Sequence, residues 1–84
     1  MRYLEIDGIT FTTPHCFAFS ENENFLVISV AIDRKSHLRA WSEIPREEII
    51  KDYVIQGEVR YLAISDDAKL IACGFENKKI VMLG

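Results

Sequence analysis

The chain has 84 residues, of which 49% are hydrophobic and 27% charged, with a formal net charge of −3. A chain of that size is at most one domain and buries only roughly 60% of the surface its unfolded form exposes, while its composition is that of a globular chain, not a disordered one. The longest basic runs are the pairs Arg34-Lys35 and Lys78-Lys79, too sparse for the basic stripe of a sequence-independent nucleic-acid binder.

At the amino end, residues 1–7 lack the basic segment and long apolar core of a secretory signal. No apolar run is long enough to span a membrane, so a cytoplasmic or nuclear chain is the expectation. Apolar residues bounded by turn formers predict strands at 2–7, 15–19, 25–32 and 37–42. Residues 45–50, led by Pro45 with Glu47 and Glu48 close behind, are compatible with one helical turn. Four further strands follow at 49–56, 59–64, 69–75 and 79–83. The turns between them are written in Ser, Asp and Asn, whose side chains bond nearby backbone amides and compete with the strand ladder. The runs 25–28 and 70–73 are apolar at every position, which suits a strand covered on both faces; they are too short and too rich in β-branched and aromatic residues for a helix.

These strands repeat. Residues 16–30 align with 61–75 at an offset of 45 without a gap, matching Ala18 with Ala63 and Ser20 with Ser65. Residues 38–41 align with 80–83 at an offset of 42, which puts three extra residues into the loop at 33–37. Residues 4–8 align with 53–57 at an offset of 49, so the loop after Gly8 is four residues longer than that after Gly57. A period near 45 with length changes in loops marks stacked supersecondary units. One unit covers about 2–42 and the other about 49–84, giving an all-β fold of two four-stranded antiparallel sheets.

At this point the chain resembles the WD40-repeat β-propellers. The resemblance is clearest in Val59-Arg-Tyr-Leu-Ala-Ile-Ser-Asp-Asp-Ala-Lys-Leu-Ile-Ala-Cys-Gly-Phe-Glu-Asn-Lys-Lys-Ile-Val-Met-Leu83. There an apolar strand ends in Ser-x-Asp, a lysine-led strand ends in a small residue and glycine, and an acidic turn follows. Trp41-Ser42 and Leu83-Gly84 stand at the family's Trp-Asp position, Gly8 and Gly57 at its Gly-His position, and Asn77 at its turn aspartate. No histidine follows either glycine and no aspartate follows Trp41, so the hydrogen-bonded tetrad that often braces such blades is missing. The resemblance implies two degenerate blades, incomplete as a ring because closed propellers hold four to eight. In the family's phasing the outermost strand completes the preceding blade. Residues 2–7 would then belong to a blade otherwise absent, and the blade begun at 59 would lack its outer strand. The chain is thus expected either as a piece of a longer protein or as a homo-oligomer.

Catalytic and metal-binding patterns are scarce. His15 and His37 have no partner at metal-ligand spacing, and the adjacent His15 and Cys16 would point to opposite faces of a strand. Cys16 and Cys73 read as small buried hydrophobes, not as a disulfide or an activated thiol. The acid pairs Asp66-Asp67 and Glu47-Glu48 read as an exposed turn and a solvated helix face, without the cleft an acid/base couple needs. No catalytic residue, metal site or cofactor is expected, and the chain is read as a non-enzyme. The resemblance places partner binding on the loops at 8–15, 33–37, 57–60 and 76–79. Arg34, Lys35, His37, Arg60, Lys78 and Lys79 are its candidate contact residues, arginine being a frequent interface anchor. The leading expectation is a protein-interaction scaffold that binds a protein partner or further blades. The rival is a homo-oligomeric propeller holding a small ligand such as a sugar between blades, with Trp41 as a stacking surface instead of a packed core residue.

Overall fold

The computed structural model describes residues 3–11, 15–44 and 46–84. Within them lie nine strands and no helix: β1 (Leu4–Ile6), β2 (Ile9–Phe11), β3 (Cys16–Phe19), β4 (Phe25–Ile32), β5 (Lys35–Ser42), β6 (Glu48–Gln56), β7 (Val59–Ile64), β8 (Ile71–Phe75) and β9 (Ile80–Leu83). All pairing is antiparallel. The strands form a two-stranded sheet β1-β2, a four-stranded sheet β3-β4-β5-β6 and a three-stranded sheet β7-β8-β9, none of them closed.

The period is visible in the ladders. Phe17 pairs with Ile28, and Ala18 with Val27, in the β3–β4 hairpin. Forty-five positions later Leu62 pairs with Cys73, and Ala63 with Ala72, in β7–β8. The connecting turns also match atom for atom. Ser20 Oγ–H donates to Asn22 Oδ1 at 2.6 Å and accepts from Phe25 N–H at 3.1 Å, while Asn24 N–H donates to Asn22 Oδ1 at 3.0 Å. In the second turn Ser65 Oγ–H donates to Asp67 Oδ1 at 2.7 Å and accepts from Leu70 N–H at 3.1 Å, and Lys69 N–H donates to Asp67 Oδ1 at 3.0 Å. Glu23 (φ 62°) and Ala68 (φ 60°) occupy the same left-handed position. The two turns touch: Asn22 N–H donates to Asp66 Oδ1 at 2.9 Å, and Asn22 Nδ2–H to Asp66 O at 3.1 Å.

Strand alternation then divides each sheet into two faces. On one face of the four-stranded sheet Val27, Leu38 and Ala40 pack with Ile64, Ile71 and Cys73 of the three-stranded sheet. On the other face Leu26, Ile28, Val30 and Trp41 pack with Leu4 of the β1–β2 hairpin. β4 is therefore covered on both sides, as its unbroken apolar run requires. β8 is covered on one side only, with Ile71 and Cys73 buried while Leu70, just before the strand, is exposed. Arg39 fixes the hairpin against the sheet by pairing with Asp52 across the ladder (2.7 Å) and donating to Tyr3 O (3.0 Å).

Several expectations are corrected. The strands distribute as two, four and three, not as the two four-stranded units 2–42 and 49–84, because β6 pairs with β5 and, among the described residues, no strand pairs with the outer edge of β9. This is the distribution that the outer-strand phasing expected. β2 was not expected; Asp7 (φ 51°) and Gly8 (φ 78°) form a two-residue hairpin turn, and the four extra residues after Gly8 accommodate this strand. The three extra residues at 33–37 lengthen the β4–β5 hairpin and leave only a two-residue turn, Asp33 (φ 51°) and Arg34 (φ 65°). The helical turn at 45–50 is absent from residues 46–50, and Pro45 lies outside the described residues. Ile49 and Ile50 instead enter β6 at a bulge opposite Ala40 and Trp41, where β-branched side chains fit the pleat. The expected first strand begins at residue 2, also outside the described residues.

Two outcomes follow. Leu38→Ala, which empties a fully buried position, lowers unfolding free energy by about 2–5 kcal/mol in urea titration, whereas exposed Ile44→Ala stays within about 0.5 kcal/mol. The bonds from Lys69 N–H, and then from Ser65, hold the Asp67 carboxyl below the usual aspartate range. Its stabilisation is therefore present above the unfolded-state pKa and is lost as pH falls through the lower folded value. A carboxyl-carbon NMR titration should place Asp67 below the ordinary aspartate range, and Ser65→Ala should move it back up.

Candidate interaction edge

One edge of the stack gathers the turns that the sequence singles out. The β4–β5 turn carries Arg34 and Lys35, and Arg34 O accepts from Gly57 N–H at 2.7 Å, drawing in the β6–β7 link. Ser36 is fully buried and clamps that link: its Oγ–H donates to Gly57 O at 2.7 Å and accepts from Val59 N–H at 2.9 Å. Gly57 has φ +94°, and a Cβ there would lie 3.0 Å from Phe75 Cε1. This position therefore needs glycine twice over, for conformation and for room. Next in line, Arg60 reaches Glu58 and Glu76, each at 3.5 Å, tying the link to the β8–β9 turn. That turn has Lys78 in the left-handed region (φ 66°), with Lys79 N–H donating to Asn77 Oδ1 at 3.0 Å.

Five of the six candidate contact residues thus share this edge: Arg34, Lys35, Arg60, Lys78 and Lys79, all exposed. His37 does not. It is half-buried within β5, where it pairs with Val30 and Val54 and shares their face. His15 serves the ladder, with Nδ1 accepting from Ala31 N–H at 2.9 Å. Trp41 is only 2% exposed, so the ring is core and not a platform for a ligand. An open depression beside the edge is lined by Arg60, Tyr61, Phe75, Glu76, Lys78 and Ile80. Sequence reading missed its aromatic and apolar wall. The signal was there in the alternation Tyr61, Ala63 along β7, which puts these residues on the face opposite Leu62 and Ile64.

The electrostatics are mild. Arg60 is paired but exposed, and pairs of that kind contribute little. Burial pushes the Cys73 thiol up to about 11, with nearby Cys16 adding to the shift, and burial also raises Cys16. Both thiols are free and neither is activated; Cys16 Sγ–H points at Arg60 O, 3.4 Å away. Among the described residues no three or more His, Cys, Asp or Glu side chains gather as metal ligands, and no helix is long and apolar enough to cross a membrane. In comparison with known proteins, no family model, curated protein or solved structure matches the chain.

Gly57→Ala should cost about 1–3 kcal/mol, since it forces a side chain into the left-handed region against the Phe75 ring. The urea midpoint reads this, and the loss should exceed that of Gly8→Ala, where a Cβ would meet nothing within 4 Å.

Proposed function

We propose that the chain is a protein-interaction scaffold, a segment of a WD40-like β-propeller with no catalytic activity of its own. The supporting observation is the repetition at 45 residues of ladder register, turn hydrogen bonds and left-handed turn residue together. Units of that kind present loops at a shared edge, and loops held by a rigid scaffold are where binding residues accumulate. Here the edge offers Arg34, Lys35, Arg60, Lys78 and Lys79 beside Glu58 and Glu76, a mixed surface suited to a protein partner with both acidic and basic groups.

Arg34 and Lys78 add a second line of support. Both hold left-handed backbone conformations in turns where glycine or asparagine is the relaxed choice. Retained strain at exposed charged residues is a reason to look for function there. Glu23 and Ala68 share the conformation at the opposite edge, so strain alone does not select the site; strain combined with clustered cations does.

The experiment compares wild type with a variant carrying alanine at Arg34, Lys35, Arg60, Lys78 and Lys79. A protein captured by the wild type is purified, and its direct binding is measured against both. The scaffold reading expects at least a tenfold loss of affinity in the variant with an unchanged unfolding midpoint. It fails if no purified protein binds, or if binding ignores the substitutions. Arg34→Gly should raise stability by about 1 kcal/mol by relieving the turn, and yet weaken the same partner.

A further inference from the structure

The two large sheets stack with the same face forward. Cys16 and Ala18 of β3 lie on the face of the four-stranded sheet that meets Leu62 and Ile64 of β7. Adding 45 to the first pair gives Tyr61 and Ala63, and subtracting 45 from the second gives Phe17 and Phe19. These four are the outward halves of the same two rows, and all four are exposed. Phe17 is 59% and Phe19 47% exposed, with their rings edge to face at 6.4 Å. At the other end of the stack Tyr61 is 72% exposed, with Ile80 and Met82 exposed on the same face. Tyr61 leans over Gly74, whose missing side chain leaves room: a Cβ there would lie 3.3 Å from Tyr61 Cβ.

Phe17 and Phe19 form an exposed apolar patch on β3 beside the part of that face that the β1–β2 hairpin covers. This patch and the outer face of β7-β8-β9, matched by the register of the contact already formed inside the chain, identify their own occupant. We infer that the Tyr61–Met82 face of β7-β8-β9 takes the Phe17–Phe19 face of a second copy of this chain, repeating between copies the β3–β7 contact found within one. The two faces are different surfaces, so the contact is head-to-tail and propagates to a closed ring or an open stack instead of stopping at a symmetric dimer. Exposed apolar surface of this kind marks an interaction site in a soluble chain. The inference rests on the stacked-sheet part of the scaffold reading; Arg60, Lys78 and Lys79 border the Tyr61 and Ile80 end of the contact, whereas the Phe17 and Phe19 end carries none of the edge cations.

The head-to-tail geometry gives a test that simple stickiness fails. Phe17→Glu spoils one face and Tyr61→Glu the other, and both positions are exposed enough for the fold to tolerate the change. By light scattering after size exclusion, wild type should have the mass of several chains and each variant alone that of one. An equimolar mixture of the two variants should recover a two-chain species, because one intact face of each kind remains. Circular dichroism and Trp41 emission monitor the fold, and Phe19→Glu with Met82→Glu repeats the experiment if the first pair loses its β-rich spectrum. A monomeric wild type, a variant that associates as wild type does, or a mixture no heavier than its components overturns the inference. Phe17→Glu lies away from the edge cations, so it should abolish self-association and leave partner binding at the edge intact, and the two readings fail separately.

Discussion

Everything in this molecule follows from β4 having no side that can face water. Leu26, Ile28 and Val30 project from one face and Val27 from the other, and all four are buried. Each such side chain is worth about 1.5–3 kcal/mol when removed from water, so a β4 sheet exposed on either side would lose much of the stability open to so small a chain. The remedy is a layer on each side. The β1–β2 hairpin supplies one layer through Leu4, and the three-stranded sheet supplies the other through Ile71 and Cys73. The outer layers inherit the problem in weaker form, and their uncovered faces carry Ile9, Tyr61, Ile80 and Met82.

Hydrogen bonding determines which stack forms. Apolar layers slide easily, whereas a ladder slipped by one residue exchanges its two faces. The register is pinned at both ends of the hairpins. At one end the Ser20–Asn22 and Ser65–Asp67 side chains satisfy turn amides and the Asn22–Asp66 bonds lock the two turns together. At the other end Ser36, buried among apolar residues, spends both its bonds on the Gly57–Val59 link. Among the described residues no buried side-chain nitrogen or oxygen lacks a partner, which is the condition under which buried polar groups specify a structure instead of weakening it. The same clamps bring the β4–β5 turn, the β6–β7 link and the β8–β9 turn to one edge, so the candidate interaction residues are positioned by the packing of the stack.

Much of this was legible in the sequence because turn chemistry is local. The gapless alignment of 16–30 with 61–75 anticipated a register that the ladders then reproduced pair by pair, and the apolar run at 25–28 announced a strand covered twice. The same reading of 70–73 is corrected, since β8 is covered on one side only. What escaped reading depended on choices that local pattern does not make. The Asp7-Gly8 pair is a hairpin signal flanked by Ile6 and Ile9, yet a three-residue strand is too short to show a period. Pro45 and the two glutamates suggested a helix start, but the preference for pairing Ile49 with Trp41 decided otherwise. His37 looked like a loop residue because the extra length was assigned to the loop instead of the strands. Of the residues assigned to the loops, Arg34, Lys35, Arg60, Lys78 and Lys79 lie along one edge and His37 does not, while the pairing of Arg60 with Glu58 and Glu76 and the adjoining Tyr61 wall needed the third dimension.

The central claim is that burial decreases outward from the middle sheet while the repeat keeps one register throughout. Amide hydrogen exchange reads this directly, strand by strand. The account predicts the slowest exchange in β4 and β5, intermediate protection in β7 and β8, and the fastest in β2 and β9. Equal protection across the three sheets, or β9 protected as strongly as β4, would contradict it.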